Sequence, residues 1–468
     1  MQQILERQRA AYMAELPVPI AVRKDRLKRA IAMLSDNAEK FCDALSEDFG
    51  HRSREQSMIT DIAASVAPLR HAIKHVERWA KPDKKPVMFP LGLLGGRGWI
   101  EYQPLGVVGV IAPWNFPVNL VMSPLAGIFA AGNRAMVKTS EFTPCVAALF
   151  EQLAPGYFDV EELAFVSGGP EVGKAFAALP FDHLLFTGAT GIAKHILHAA
   201  ADNLTPVTLE LGGKSPVVVG RSADVARTTE RVALGKMLNA GQICLAPDYM
   251  LVPAEKEAEV VAGLVDAATR MYPTLLSNPD YTALINDRHY QRLTEWLDDA
   301  RAKGAEVIAV NPANEDFATS NSRKMPLHIV RGATDDMIVM QEEIFGPILP
   351  VRSYEHIDGA IDEVNRRDRP LALYYFGSDG AERRQVMDRT VSGGVTLDDV
   401  IFHVSQEELP FGGVGPSGMG AYHGEAGFRT FSHARSVYKQ PRIDVAKLAG
   451  MKPPYGKATR ATIKRQMG

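Results

Sequence analysis

The sequence predicts an α/β protein made of two units with largely parallel sheets and a small β arm. Three observations predict it. From Gly106 onward short apolar runs alternate with stretches of helical periodicity, and the same rhythm restarts after Gly212-Gly213. A passage rich in Lys, Pro and Gly, Lys81 to Gly98, then leads into the extended run Trp99 to Gln103. Parallel strands joined by helices are covered on both faces and collect ligands beyond their carboxyl ends, so residues that follow strands are the first place to look for chemistry.

Residues 1–80 read as helices, because Leu27, Ile31, Leu34, Ala38, Phe41 and Leu45 recur at steps of three and four among charges. The arm follows. Strands of the first unit are expected at Val107 to Ala112, Ala135 to Lys138, Leu163 to Val166, His183 to Phe186 and Val207 to Leu211. In the second unit Pro216 to Val219, Val307 to Val310 and Leu371 to Phe376 read as strands, with helices at Glu255 to Met271 and Arg288 to Ala302. An apolar strand follows Glu342 to Pro347, and a glycine-rich stretch runs from Pro410 to Gly420. The expected division is 1–80 with 104–211, then 212–423, with 81–103 and 424–440 forming the arm and 441–468 a tail. From Val437 on there are eight basic residues against one acidic, Asp444, which reads as a solvated terminal segment.

Composition narrows the function. A chain of 468 residues that is 46% hydrophobic and 23% charged has material for a large core, which excludes wholesale disorder. Lys plus Arg number 52 against 55 acids, so there is no basic field for nucleic acid, and a small-molecule partner is expected. Cys42, Cys145 and Cys244 form neither a disulfide framework nor a zinc motif, which points to a reducing, cytoplasmic setting. Met1 to Leu16 carries Glu6, Arg7, Arg9 and Glu15, unlike a secretory signal. Tyr102 to Asn133 is uncharged, yet Pro104, Pro113, Pro117 and Pro124 break it, so a buried strand, loop and helix are expected instead of a membrane span.

Cys244, in Asn239-Ala240-Gly241-Gln242-Ile243-Cys244, is the clearest chemical candidate, because a thiol whose pKa falls below about 8.5 becomes a strong nucleophile. Its surroundings would have to lower that pKa, and buried packing is the alternative. Cys42 and Cys145 lie in expected helices and read as inert. Glu210 ends an apolar strand before two glycines, where burial raises a carboxyl's pKa and suits it to take a proton from water; a turn cap or a lysine pair is the other reading. Asn115, between Pro113 and Pro117, is held stiffly enough to donate to an oxyanion, or simply to brace a turn. Phe186-Thr187-Gly188-Ala189-Thr190-Gly191 joins a strand to a helix N-terminus but does not reproduce the dinucleotide fingerprint. Lys138 and Glu141 follow another strand and suit ribose hydroxyls, or solvent. The pairs His71/His75 and His195/His198 each share a helical face, but neither forms H-E-x-x-H or shows a third ligand, so no metal is expected.

Taken together, Pro113 to Pro117, Leu209 to Lys214, Gly241 to Cys244 and Glu342 to Pro347 resemble, in order and spacing, the aldehyde dehydrogenase superfamily. The likeness extends from the first helices to about Lys439. Phe49 to Ser53, Ala246 to Tyr249 and Ser417 to Gly424 resemble its class 3 branch, particularly the coniferyl aldehyde dehydrogenases. The resemblance implies a Rossmann-like cofactor domain, an α/β catalytic domain and a small β bridging arm used for oligomerisation. It implies Cys244 as nucleophile, Glu210 as the base for deacylation, and Asn115 with the Cys244 N–H as oxyanion donors. It places Lys138 and Glu141 at the adenosine ribose, Thr187 and Gly188 by the pyrophosphate, Glu343 at the nicotinamide ribose, and Phe345 and Trp114 beside the nicotinamide. NAD is the expected cofactor, since Glu141 would repel a 2′-phosphate, with NADP also open.

Phe116, Leu120, Ile243, Leu245 and Phe402 would line an apolar funnel for aromatic or medium-chain aldehydes. A homodimer without a membrane anchor is expected, with a tetramer the alternative. Transfer of the thioester to coenzyme A, simple ester hydrolysis and a catalytically idle structural protein are the rival readings. Two positions depart from the family pattern: Ala189 replaces a hydroxyl or amide, and Asp398 replaces a frequent Asn.

Overall fold

The computed structural model describes residues 1–467. Its elements follow the apolar periodicity closely, because strands buried on both faces must read as near-continuous apolar runs. Six strands form one sheet in the order Gly418–Met419, Val207–Glu210, His183–Thr187, Val107–Ile111, Arg134–Lys138, Leu163–Val166. All neighbours are parallel except the first pair. The chain moves outward from Val107–Ile111 in one direction and then the other, so a crevice opens beyond the carboxyl ends of Val107–Ile111 and His183–Thr187. Asn115 and Gly188 follow those two strands.

The second sheet has seven strands, in the order Glu306–Val310, Leu327–Arg331, Ile348–Tyr354, Tyr249–Pro253, Pro216–Val219, Ala372–Phe376, Gly394–Leu397. It is parallel apart from its first pair. One strand crosses the expected division at 212: Gly418 pairs with Glu210 and Met419 with Leu209, so this segment lies on the six-stranded sheet. Leu211 N–H also donates to Ser417 O at 3.1 Å.

The uncharged stretch resolves into the strand Val107–Ile111, a loop, and the helix Asn119–Ala131, whose residues from Val121 on are all buried. Helices Ala64–Trp79 and Gly424–Thr430 pack on it. No helix among the described residues is long and apolar enough to cross a membrane. Between Arg54–Ser57 and Ala64–Trp79 lies one π-helical turn, Met58–Ala63, an irregularity that often marks a functional site. The arm is a third sheet in which Arg97–Pro104 pairs antiparallel with Asp83–Lys85 and, over its whole length, with Ser432–Lys439. Its residues are half-buried or exposed. The tail carries two short helices, Val445–Leu448 and Lys457–Gln466, with no buried residue.

Candidate active site

Cys244 follows a turn in which Asn239, Ala240 and Gly241 all have positive φ, at 51°, 51° and 73°. The first two lie in the left-handed region that β-carbons disfavour, and such strain persists only where the surroundings over-determine it. Here groups from three distant segments do so. The Asn239 N–H donates to Gln56 Oε1 at 3.1 Å, and its amide donates to Asn115 O at 3.0 Å and Gln242 O at 3.2 Å. Gln242 in turn donates to Asn239 O at 2.9 Å and Ala283 O at 3.1 Å, and accepts from Ile285 N–H at 3.0 Å. At Gly241 a β-carbon would stand 2.4 Å from Gly346 O, so only glycine fits.

The buried Asn115 belongs to the same network. Its Nδ2 donates to Gln242 O at 3.2 Å, which fixes the amide and leaves one of its two protons for another acceptor. Arg52 holds the Asn115 carbonyl at 3.3 Å and pairs with Asp61 at 2.7 Å, both side chains fully enclosed. From the π-helical turn, Asp61 accepts the N–H groups of Val118 and Asn119, each at 3.1 Å, at the start of the helix Asn119–Ala131. Phe49 and Phe116 flank the guanidinium at 4.8 and 5.1 Å. The Cys244 N–H donates to no other residue among the described residues. A free backbone donor at Cys244, and an amide braced on Gln242 two residues before it, are the parts an oxyanion hole needs.

One expectation changes. The half-buried Cys244 thiol is pushed up, not down, by burial first and then by the carboxyls of Glu343 and Glu210; its own N–H and that of Leu245 only partly offset this. The resting sulfur is therefore a thiol, and it must lose its proton as the reaction begins. Cys42 and Cys145 are pushed up to about 11 and about 12 by burial, in keeping with inert residues.

Glu210 ends its strand with the carboxyl enclosed and neither oxygen hydrogen-bonded. Burial alone holds its pKa well above the usual carboxylate range, because an isolated charge there loses its hydration with nothing in return. The enclosed Tyr422 phenol is pushed well up by burial first and then by Glu210, Cys244 and Glu407, and Glu407 is itself pushed up to about 7 by burial. Neither was singled out from sequence; Tyr422 lies inside the quoted Ser417 to Gly424 motif.

On the cofactor side, the buried Lys138 pairs with Glu141 at 2.9 Å. Gly188 N–H donates to Glu210 O at 3.0 Å, which ties the Thr187-Gly188 turn to the Glu210 strand. Ala189 is the N-cap of helix Thr190–Ala201 and brings no side-chain acceptor, so the helix start is uncapped. The Glu343 carboxyl lies directly over Gly212, where a β-carbon would fall 2.2 Å from Oε1. Burial and Asp248 push Glu343 up to about 8, against the Gly213 N–H, Lys214 and Arg292. Lys214 pairs with Asp248 and donates to Val339 O at 2.7 Å and Glu342 O at 2.9 Å, while Asp248 accepts from Ile344 N–H at 2.9 Å. Phe345, at φ 49°, meets Trp114 edge-on with ring centroids 5.2 Å apart. An uncapped helix start, a Lys–Glu pair and a carboxyl seated over a glycine are donors and acceptors suited to a dinucleotide's phosphates and ribose hydroxyls.

Of the expected funnel residues, Phe116 and Leu120 are half-buried and Phe402 is exposed, whereas Ile243 and Leu245 are buried in the main core. Asp398 sits at φ 54°, a conformation Asp tolerates as Asn does, and its carboxylate accepts from Gly377 N–H at 3.2 Å. The histidine pairs need one correction. His71 and His75 do have a third potential ligand, Glu408, supplied by a loop far away in sequence, and His195/His198 has none among the described residues.

Residues 2–437 match the family described as Aldehyde dehydrogenase family. The chain is 54% identical over its full length, and over 96% of the relative, to a "Probable coniferyl aldehyde dehydrogenase" of Caulobacter vibrioides. It is 55% identical to a "Coniferyl aldehyde dehydrogenase" of a Pseudomonas species, covering 97% of this chain and 93% of that one. A solved structure titled "Substrate bound state of Staphylococcus Aureus AldH" superposes with a TM-score of 0.91 at 35% identity, covering 100% of this chain and 99% of the other. On these matches, this chain belongs to the aldehyde dehydrogenase family and is an oxidoreductase acting on aldehydes.

Proposed function

We propose that the protein oxidises an aromatic aldehyde of the coniferyl type to its carboxylic acid with NAD, or NADP, through a thioester on Cys244. The observation that carries this is the braced Cys244 turn beside Asn115, in a chain more than half identical to relatives named coniferyl aldehyde dehydrogenases. Lys138 and Glu141 would hold the adenosine ribose, Thr187, Gly188 and the uncapped helix start the pyrophosphate, and Glu343, Phe345 and Trp114 the nicotinamide end. When bound, the cofactor supplies the hydride acceptor.

Cys244 Sγ bonds the carbonyl carbon as the thiol proton passes to solvent water, and the oxygen's charge is met by Asn115 Nδ2 and the Cys244 N–H. Loss of the carbonyl hydrogen as hydride restores the C=O as a thioester. Glu210 then takes a proton from water, the hydroxide adds to the thioester carbon, and the sulfur leaves with the proton returned to it. The unpartnered Glu210 carboxyl favours water as acceptor over coenzyme A. Phe116, Leu120 and Phe402 would meet the ring of the substrate, with Ile243 and Leu245 fixing the sulfur from the core side. The Glu141 carboxylate favours NAD. The exposed arm Arg97–Pro104 with Ser432–Lys439 offers a strand edge for a second copy, which supports a homodimer, and a cytoplasmic setting fits the three unpaired cysteines.

The test is a panel of coniferaldehyde-like, medium-chain and charged semialdehydes, run with each cofactor and read as nicotinamide reduction. The aromatic aldehyde is expected to exceed the charged semialdehyde in kcat/KM by at least about tenfold. Equal values would remove the aromatic assignment.

A further inference from the structure

The helix Ala64–Trp79 presents His71 and His75 on one face, four residues apart. The loop after His403 brings Glu408 against them. Glu408 Oε1 lies 3.3 Å from His71 Nε2 and 4.0 Å from His75 Nε2, and the three ligand atoms all fall within 4.8 Å of one another. His71 Nε2 is enclosed but has no hydrogen-bond partner, so the short contact lacks hydrogen-bond alignment. Trp79 packs on both imidazoles, with ring centroids 5.6 and 5.8 Å away, which limits their rotation.

These features fit a cation better than an ion pair. An ion pair needs one imidazole, whereas here two ring nitrogens converge on one carboxylate oxygen. Ligand atoms 2.0–2.1 Å from a tetrahedral ion stand about 3.3–3.4 Å apart, which matches the His71–Glu408 spacing. Glu408 is 61% exposed and sits on a loop, so it is free to close the wider His75 edge. Of the nearby cations, Arg78 is drawn towards Glu425 at 3.8 Å. We propose that His71, His75 and Glu408 form a site for a divalent transition-metal ion such as Zn²⁺, with water completing the shell. The ion ties the loop to the helix. The carbonyl of the preceding residue in that loop, Glu407, lies against Gly424, two residues after Tyr422, so the ion would also stiffen the packing of this loop on that segment.

The test uses the full chain with Cys244→Ala, which removes the competing thiol, stripped of metal by a chelator. Zn²⁺ is titrated by calorimetry and Co²⁺ by visible absorption. One equivalent is expected to bind, with no thiolate-to-metal band and with a Tm that rises with metal concentration. His75→Gln and Glu408→Gln, made separately, should each weaken binding by about tenfold or more, the scale already seen for lesser changes around metal ligands. Glu408 is solvent-facing, so its variant tests the site without threatening the fold. Absence of saturable binding, unchanged affinity in both variants, or a sulfur band from Cys42 or Cys145 would each overturn the assignment.

Discussion

The turn that carries Cys244 and the strand end that carries Glu210 are both enclosed, yet they are built in opposite ways. Around Cys244 nearly every polar group is spoken for: Gln56, Asn239, Gln242, Asn115, Arg52 and Asp61 form one connected network that holds three consecutive residues at positive φ. At the Glu210 carboxyl nothing is spoken for: both oxygens are left without partners. Forming a bond to a carbonyl carbon rewards fixed geometry, because small misplacements are costly in rate. Taking a proton from water rewards a carboxyl whose charged form is unstabilised, because its basicity then approaches neutral pH. On the proposed mechanism, the hydrogen bonds serve the first task and are withheld from the second.

The comparison can be broken outright at the sulfur. Cys244→Ala should lower turnover by at least about 10⁴-fold, read as nicotinamide reduction on any active aldehyde, since loss of a covalent nucleophile leaves only binding and the oxyanion donors. Residual turnover near the wild-type rate would remove the thioester route. Glu210→Gln probes the other half: the first turnover should survive as a burst while the steady state falls by about 10²- to 10⁴-fold. Loss of the burst as well would place Glu210 in the first step.

Asp61→Asn sharpens the contrast through stability instead of chemistry. It leaves the Arg52 guanidinium buried without its counter-charge, a loss of about 3–5 kcal/mol, and Tm should drop accordingly. If Tm holds, the network is not what braces the turn. Glu343→Gln tests burial instead of bracing. The folded carboxyl is raised to about 8 from an ordinary 4.5, so between those values the folded chain keeps a proton that the unfolded chain has lost. Its contribution to stability is whole below about 4.5 and disappears as pH rises through 8. Wild-type Tm should therefore fall over that window by more than Tm of the Gln variant, and parallel curves would refute the shift.

The strands and the four motifs were legible in the sequence because each is a local pattern: an apolar run of strand length, or a few residues of fixed spacing. The bracing was not. Gln56 meets Asn239, and Arg52 meets the Asn115 carbonyl, across long stretches of chain, and neither a polar residue in a short helix nor one in the loop before it leaves a local mark of what it will touch. The Cys244 pKa went the other way from expectation for a related reason: the motif names the sulfur but says nothing of its burial, or of the two carboxyls that the six-stranded sheet and the Glu342 to Pro347 loop bring near it. Glu408 escaped the search for metal ligands because a loop in the other half of the chain supplies it.

Gly418–Met419 leaves one half of the chain and closes the edge of the other half's sheet against Leu209 and Glu210. A fragment cut after Leu211 would therefore expose a bare strand edge and return the Glu210 carboxyl to water, where its pKa would relax to that of an ordinary glutamate. Neither half is an interchangeable cassette, and recombination that imports a foreign cofactor-binding half must bring a matching strand from near the far terminus with it.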